Sequence, residues 1–252
     1  MMDTVNILGA KISMLGIDES VDLIMNMMEE TKNHAVFTPN SEIVMNAYKN
    51  PEFLRLINSA DLLTADGIGL VYASKILGKP IPERAAGFDI AMSLVEEMAK
   101  KGKSLFLFGS KPGTAERAAE ILEKRHEGLI IAGTRDGYFK PEDTDAIISE
   151  INSSGADVVW VCLGSPKQEE WIMANKDKLW CKVMMGLGGS LDAITGDMPR
   201  APKWYCDHGL EWFYRLMKQP SRIGRMMALP KFALTVFLKG RKFPQEVSEW
   251  ED

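Results

Sequence analysis

The chain has 252 residues, 46% hydrophobic and 26% charged, with a formal net charge of −5, the composition of a soluble globular protein able to bury a sizeable core. Three widely spaced cysteines (Cys162, Cys181, Cys206) and three scattered histidines (His34, His126, His208) exclude a disulfide framework and a zinc-ligand pattern, and point to a reducing, cytosolic setting. The opening stretch MMDTVNILGAKISMLGIDES has neither the basic start nor the sustained apolar core of a signal peptide, and no window holds 18 uninterrupted apolar residues, so no transmembrane helix is expected.

In chain order, HAVFTP (34–39), DLLTAD (61–66), SLFLFGS (104–110), LIIAGT (129–134), ADVVWVCLGS (156–165) and KVMMGLGG (182–189) are the expected strands. Each is nearly continuous in apolar residues, as in strands covered on both faces. Between them lie helical patterns at 87–102, 113–128 and 141–155. The alternation predicts an α/β fold, a Rossmann-like, largely parallel sheet flanked by helices. Ligands of such sheets bind beyond the carboxyl ends of the strands. The positions of interest are therefore Thr38-Pro39-Asn40, Asp66-Gly67, Gly109-Ser110, Gly164-Ser165 and Gly188-Gly189.

After Asp197 the strand–helix rhythm stops. We divide the chain into a catalytic core, 1–196, and a basic amphipathic helical appendage, 197–252. From Arg200 to Lys242 ten lysines and arginines face only Asp207 and Glu211, a local +8, which leaves −13 on the remainder. Such a tail is suited to phosphate, whether lipid headgroup, diphosphate substrate or nucleic acid. Its apolar stretch MMALPKFALTVFL (226–238) is too short, and too broken by Pro230 and Lys231, to span a bilayer, but fits a bilayer interface. Packing as an ordinary C-terminal helix is the alternative. The alternation of charge with apolar residues suits a bilayer edge at least as well as nucleic acid, and no nucleic-acid partner is expected.

Several short motifs carry two readings. In FLFGSKPGTAE, Gly109 and Gly113 either admit a phosphate near a helix N-terminus or form a plain β–α turn. In CLGSPKQEEW, Ser165 and Gln168 have capping-box spacing with Pro166 at the first helical position, yet Lys167, Gln168 and Glu169 also crowd a ligand edge. Asp143-Thr-Asp145 has the form of a metal-binding D-x-D, but it follows a proline at a helix start, where acids complement the helix dipole. In LLTADGIGLV, Asp66 is either a helix cap or a catalytic base at a strand end. No G-x-G-x-x-G is present, which disfavours a nicotinamide oxidoreductase, the competing enzyme class.

Taken together, FTPNSEIV, LLTADGIGLV, ERAAGFD, FLFGSKPGTAE, GYF, CLGSPKQE, GLGGSLDAITG and RAPKWYCDHGLEWFYRL occur in this order over roughly residues 5–225. The chain thereby resembles the WecG/TagA/CpsF glycosyltransferases. The resemblance implies transfer of N-acetylmannosamine from UDP-N-acetylmannosamine to the 4-hydroxyl of undecaprenyl-diphosphate N-acetylglucosamine, in wall teichoic acid linkage-unit synthesis, with inversion. A related transferase with another nucleotide-hexosamine or hexose donor is the nearest alternative. It also implies no metal, no cofactor, and a peripheral place on the inner membrane face through the appendage. Carried onto this sequence, Asp66 is the general base, and Thr38 and Asn40 position substrate hydroxyls. Arg84 binds diphosphate, and Gln168 contacts the donor. Arg215, Arg222 and Arg225 close over the departing UDP. Gly109, Ser110, Gly164, Lys167 and Asp192 complete the expected substrate contacts. A polyprenyl-diphosphate sugar acceptor and self-association are the remaining partner expectations.

Overall fold

The computed structural model describes residues 2–198, 201–202, 204–205, 211–218 and 228–245. A hairpin of β1 (Thr4–Ile7) and β2 (Ala10–Ser13) leads into α1 (Ile17–Met27). The main sheet then follows. It contains β3 (His34–Phe37), β4 (Leu62–Leu63), β5 (Ser104–Gly109), β6 (Ile130–Arg135), β7 (Val158–Cys162) and β8 (Val183–Gly186). Their order is β4-β3-β8-β7-β5-β6, with every pairing parallel. All six expected strands are present, although DLLTAD contributes only two residues to its edge position.

Period-two alternation splits the strand residues between two layers. Phe37, Phe106, Phe108, Val159, Val161 and Met184 face one core, against the hairpin, α2 (Ser41–Lys49), α3 (Pro51–Asn58), α4 (Ile68–Ile76), α7 (Thr144–Ser154) and α8 (Lys167–Asn175). Val36, Leu105, Leu107, Val158, Trp160 and Met185 face the other, against α1, α5 (Gly87–Lys101), α6 (Thr114–Arg125) and α9 (Ser190–Thr195). Burial on both faces explains why these strands read as unbroken apolar runs rather than alternating ones.

The PEDTDA segment starts a helix, as its sequence indicates. A 3-10 turn at Pro141–Asp143 runs into α7, and the Asp143 carboxylate accepts the Lys140 N–H at 2.9 Å. The capping box expected at Ser165 and Gln168 does not form. Helix α8 begins at Lys167 with Pro166 in the cap position and no side-chain cap, because the Gln168 carboxamide is engaged elsewhere.

In the C-terminal region α10 (Glu211–Lys218) and α11 (Ala228–Lys239) are helical. Helix α11 packs on α2 and α4, with Phe232 and Val236 buried in the same core as the hairpin. The chain then returns to the N-terminus. Gln245 accepts the Asn6 N–H at 3.1 Å and donates to the Asn6 carbonyl at 2.9 Å, while Lys79 donates to the Gln245 carbonyl at 2.7 Å.

Candidate active site

From β5 the chain crosses to β6 on one side, and from β7 it crosses to β8 on the other. The β5/β7 boundary is therefore a topological switch point, where open α/β sheets bind ligands. A cleft of about 260 Å³ opens there, lined by loops that follow β5 (Ser110, Lys111), β6 (Gly137, Tyr138), β7 (Leu163, Gly164) and β8 (Gly188, Gly189), with Asp192 of α9.

The local backbone dictates its floor. Gly109 has φ of +135°, and a Cβ there would overlap the Cys162 carbonyl, so β5 and β7 can approach only with glycine at this point. Ser110 follows in a left-handed conformation, φ +60°. It is held by N–H donation to the Cys162 carbonyl (3.0 Å) and by acceptance of the Gly137 N–H (2.9 Å). This aims its hydroxyl at Asp192 Oδ2, 2.8 Å away. Cys162 also lines the cleft, but burial pushes its thiol up to about 12, so it is neither thiolate nor nucleophile. Lys167 stands at the rim with its ammonium 4.3 Å from the centre of the Phe139 ring.

A second group of residues follows β3 and β4. Thr38 is buried and donates its hydroxyl to the Gly186 carbonyl at 3.1 Å. Asn40 caps α2, its Oδ1 accepting the Glu42 and Ile43 N–H groups at 2.9 and 3.1 Å. Asp66 is half-buried, and its N–H donates to the Pro39 carbonyl at 3.1 Å. The cap position of α4 belongs to Gly67, at φ +120° and with no side chain to offer. Asp66 thus lies one residue outside the site a capping carboxylate would occupy. Arg84 is half-buried in the loop leading to α5.

Of the expected site residues, Ser110, Gly164 and Asp192 converge on the cleft above Gly109, and Thr38, Asn40 and Asp66 gather at the neighbouring strand ends. Gln168 is 3% exposed and lies beneath the site, where Oε1 accepts the Gly188 N–H at 2.8 Å. Arg222 and Arg225 lie outside the described residues, as does the side chain of Arg215 on α10. Among the described residues no three His, Cys, Asp or Glu side chains are placed to hold a metal ion. Asp143 serves its own helix start, and Asp145 faces Lys178 at 3.7 Å. Lys111 and Tyr138, which line the cleft, were not among the expected contacts. The GYF motif behind β6 was the available signal for Tyr138.

Residues 5–246 match the profile of the "Glycosyl transferase WecG/TagA/CpsF family". The chain belongs to this family. It is 36% identical over 209 residues to a protein of Bacillus spizizenii, covering 83% of this chain and 80% of the relative. Identity is 35% over 201 residues to one of Bacillus subtilis (80% and 78%) and 33% over 242 residues to one of Staphylococcus aureus (92% and 94%). All three relatives carry the name N-acetylglucosaminyldiphosphoundecaprenol N-acetyl-beta-D-mannosaminyltransferase. The protein is accordingly a glycosyltransferase, and no helix among its described residues is long and apolar enough to cross a membrane.

Proposed function

We propose that this chain transfers N-acetylmannosamine from UDP-N-acetylmannosamine to the 4-hydroxyl of N-acetylglucosamine in undecaprenyl-diphosphate N-acetylglucosamine, with inversion and without a metal. The observation that carries this reading is the Asp66 carboxylate, outside the cap position of α4, at the same end of the sheet as the switch-point cleft. The sugar and the acceptor come from the names of the relatives.

In the proposed step the acceptor oxygen bonds to the anomeric carbon from the face opposite the nucleotide. The bond from that carbon to the phosphate oxygen breaks, and its electron pair leaves with UDP. The hydroxyl proton passes to Asp66, as general-base catalysis requires. Thr38 spends its hydrogen on the Gly186 carbonyl and so offers an acceptor oxygen, whereas Asn40 spends its oxygen on the α2 cap and so offers amide hydrogens. The pair is complementary toward sugar hydroxyls. Arg84, with Arg215, Arg222 and Arg225, supplies the positive charge that stabilises departing diphosphate, since guanidinium pairs with phosphate bidentately.

The acceptor is a lipid, and α11 offers a matching surface. Leu234, Phe237 and Leu238 are exposed on it, beside Lys231, Lys239, Arg241 and Lys242. Each basic residue near an anionic leaflet contributes about 1 kcal/mol of attraction. We assign this face to the inner membrane surface.

The test is a radiolabelled-sugar transfer assay with a panel of UDP-hexosamines and a lipid-diphosphate acceptor, run with and without EDTA. UDP-N-acetylmannosamine should be the preferred donor, and EDTA should leave the rate unchanged. Preference for another hexosamine would replace the donor assignment. Loss of activity restored by Mg²⁺ would overturn the metal-free scheme.

A further inference from the structure

One buried carboxyl has no part in the transfer scheme. Glu169 on α8 is 1% exposed. Its Oε1 accepts the Gln168 Nε2 hydrogen at 2.9 Å, and its Oε2 is buried without a hydrogen bond of normal geometry. Burial pushes this carboxyl up from its ordinary value, against the opposing pull of the Gln168 amide, the backbone and the Ser165 hydroxyl. A buried, half-satisfied carboxyl is costly, and an apolar residue would fill the same volume without that cost.

What Glu169 gains is an oriented carboxamide. The Gly188 N–H requires an oxygen opposite it, and Gln168 Oε1 provides one at 2.8 Å. The Glu169 oxygen requires a donor, and Gln168 Nε2 provides that. A flipped amide would set donor against donor at Gly188 and oxygen against oxygen at Glu169. Without Glu169 only one end of the amide is fixed, and the terminal torsion of glutamine is broad and roughly two-fold. Gly188 and its neighbour Gly189 line the cleft.

We propose that Glu169 is a positioning residue which, through the Gln168 carboxamide, holds the Gly188–Gly189 rim in the shape that receives the diphosphate end of the donor nucleotide. This rests on the proposed transfer from a UDP-sugar, with the switch-point cleft, where open α/β sheets bind their ligands, taken as the seat of the donor nucleotide.

Calorimetric titration of the full chain with UDP tests it, using Glu169→Gln, Glu169→Leu, Gln168→Ala and the Gln168→Ala/Glu169→Leu double variant. Glu169→Gln keeps an acceptor oxygen for Nε2 and should bind as the parent does. Glu169→Leu should weaken binding about tenfold, the loss of one oriented hydrogen bond, and Gln168→Ala by a similar factor. The double variant should bind no more weakly than Gln168→Ala, because residues acting through one contact are not additive. A full further loss in the double variant, a parental affinity in Glu169→Leu, or a loss in Glu169→Gln equal to that in Glu169→Leu overturns the proposal. If Glu169→Leu fails to melt cooperatively, Glu169→Met gives the same comparison with a flexible side chain. A parent that does not bind UDP refutes the donor site itself and this inference with it. A parent that binds while Glu169→Leu is unchanged refutes only the positioning role.

Discussion

Helix α11 carries two phenylalanines five positions apart with opposite surroundings, and they separate the stability of the C-terminal segment from its surface role. Phe232 is 2% exposed and belongs to the core cluster shared by the hairpin, α2 and α4. A Cβ placed on Gly69, in the first turn of α4, would lie 3.8 Å from its ring. Phe237 is 72% exposed. Removing a buried phenylalanine ring costs about 3–5 kcal/mol. At roughly 2–4 °C per kcal/mol for a chain of this size, Phe232→Ala should lower the melting temperature by about 6–20 °C. Phe237→Ala removes a ring that is mostly exposed and should stay within about 0.5 kcal/mol of the parent. Co-sedimentation with anionic liposomes should give the reverse order, Phe237→Ala losing binding while any folded Phe232→Ala retains it. Scanning calorimetry and co-sedimentation on the same preparations decide the matter. Equal melting temperatures for Phe232→Ala and the parent would show that α11 is not part of the core in solution. Destabilisation by Phe237→Ala would show that its outward face is covered.

Three further outcomes follow from the site and its surroundings. Asp66→Asn preserves shape and leaves the backbone bond to Pro39 intact, so turnover should fall roughly 10²–10⁴-fold with an unchanged melting temperature; parental turnover would place the base elsewhere. Arg215→Glu, Arg222→Glu and Arg225→Glu, made singly, should each depress transfer to a soluble short-chain acceptor, and three normal rates would remove these arginines from the site. At the opposite end of the sheet Asp61 accepts the Ala35 N–H at 3.0 Å and faces Lys32, His34 and Lys176 at 3.2, 3.3 and 3.6 Å. Burial works against its ionisation, but these partners prevail and hold its carboxyl below the ordinary 3.8. A lowered carboxyl stabilises the fold above its unfolded value and loses that contribution as the pH falls through the folded one. Asp61→Asn should therefore cost about 2 kcal/mol at pH 6, with the gap to the parent closing below about pH 4; a gap independent of pH would refute the linkage.

The main sheet was legible because a strand buried on both faces writes itself as a continuous apolar run, as in VVWVC of β7, which is buried at every position. The N-terminal hairpin gave no comparable signal. Its turn is Leu8-Gly9, with Leu8 at φ +54°, rather than the Asn-Gly or Asp-Gly pair that marks such turns. The side chain of Asn6 supports it instead, accepting the Gly9 N–H at 2.8 Å. Ser165 and Gln168 show a local rule losing to a tertiary partner, because the glutamine that spacing offers to the helix start reaches Gly188 on the next strand loop. The bond between Asn6 and Gln245 was illegible for a simpler reason. Polar pairs separated by 239 positions leave no periodic trace.

What joins the two halves of the candidate site is also unreadable from side-chain types, because the joint is backbone. Thr38, from the half that holds Asp66, fastens to the carbonyl of Gly186 at the end of β8. Gln168, from beneath the cleft, fastens to the N–H of Gly188 two residues on. The carboxyl end of β8 is thus gripped from both sides, by one side chain from each half of the site. Helix α11 adds a second constraint by packing on both α2 and α4, the first capped by Asn40 and the second by Gly67, the residue after Asp66. A displacement of α11 would move both helix starts together. It would leave the cleft between β5 and β7 undisturbed, since that cleft is built from the loops after β5 to β8 and from α9. The geometry separates two kinds of failure: loss of the α11 packing alters the placement of Asp66, the proposed base, whereas loss of the Gln168 bond alters the rim of the cleft.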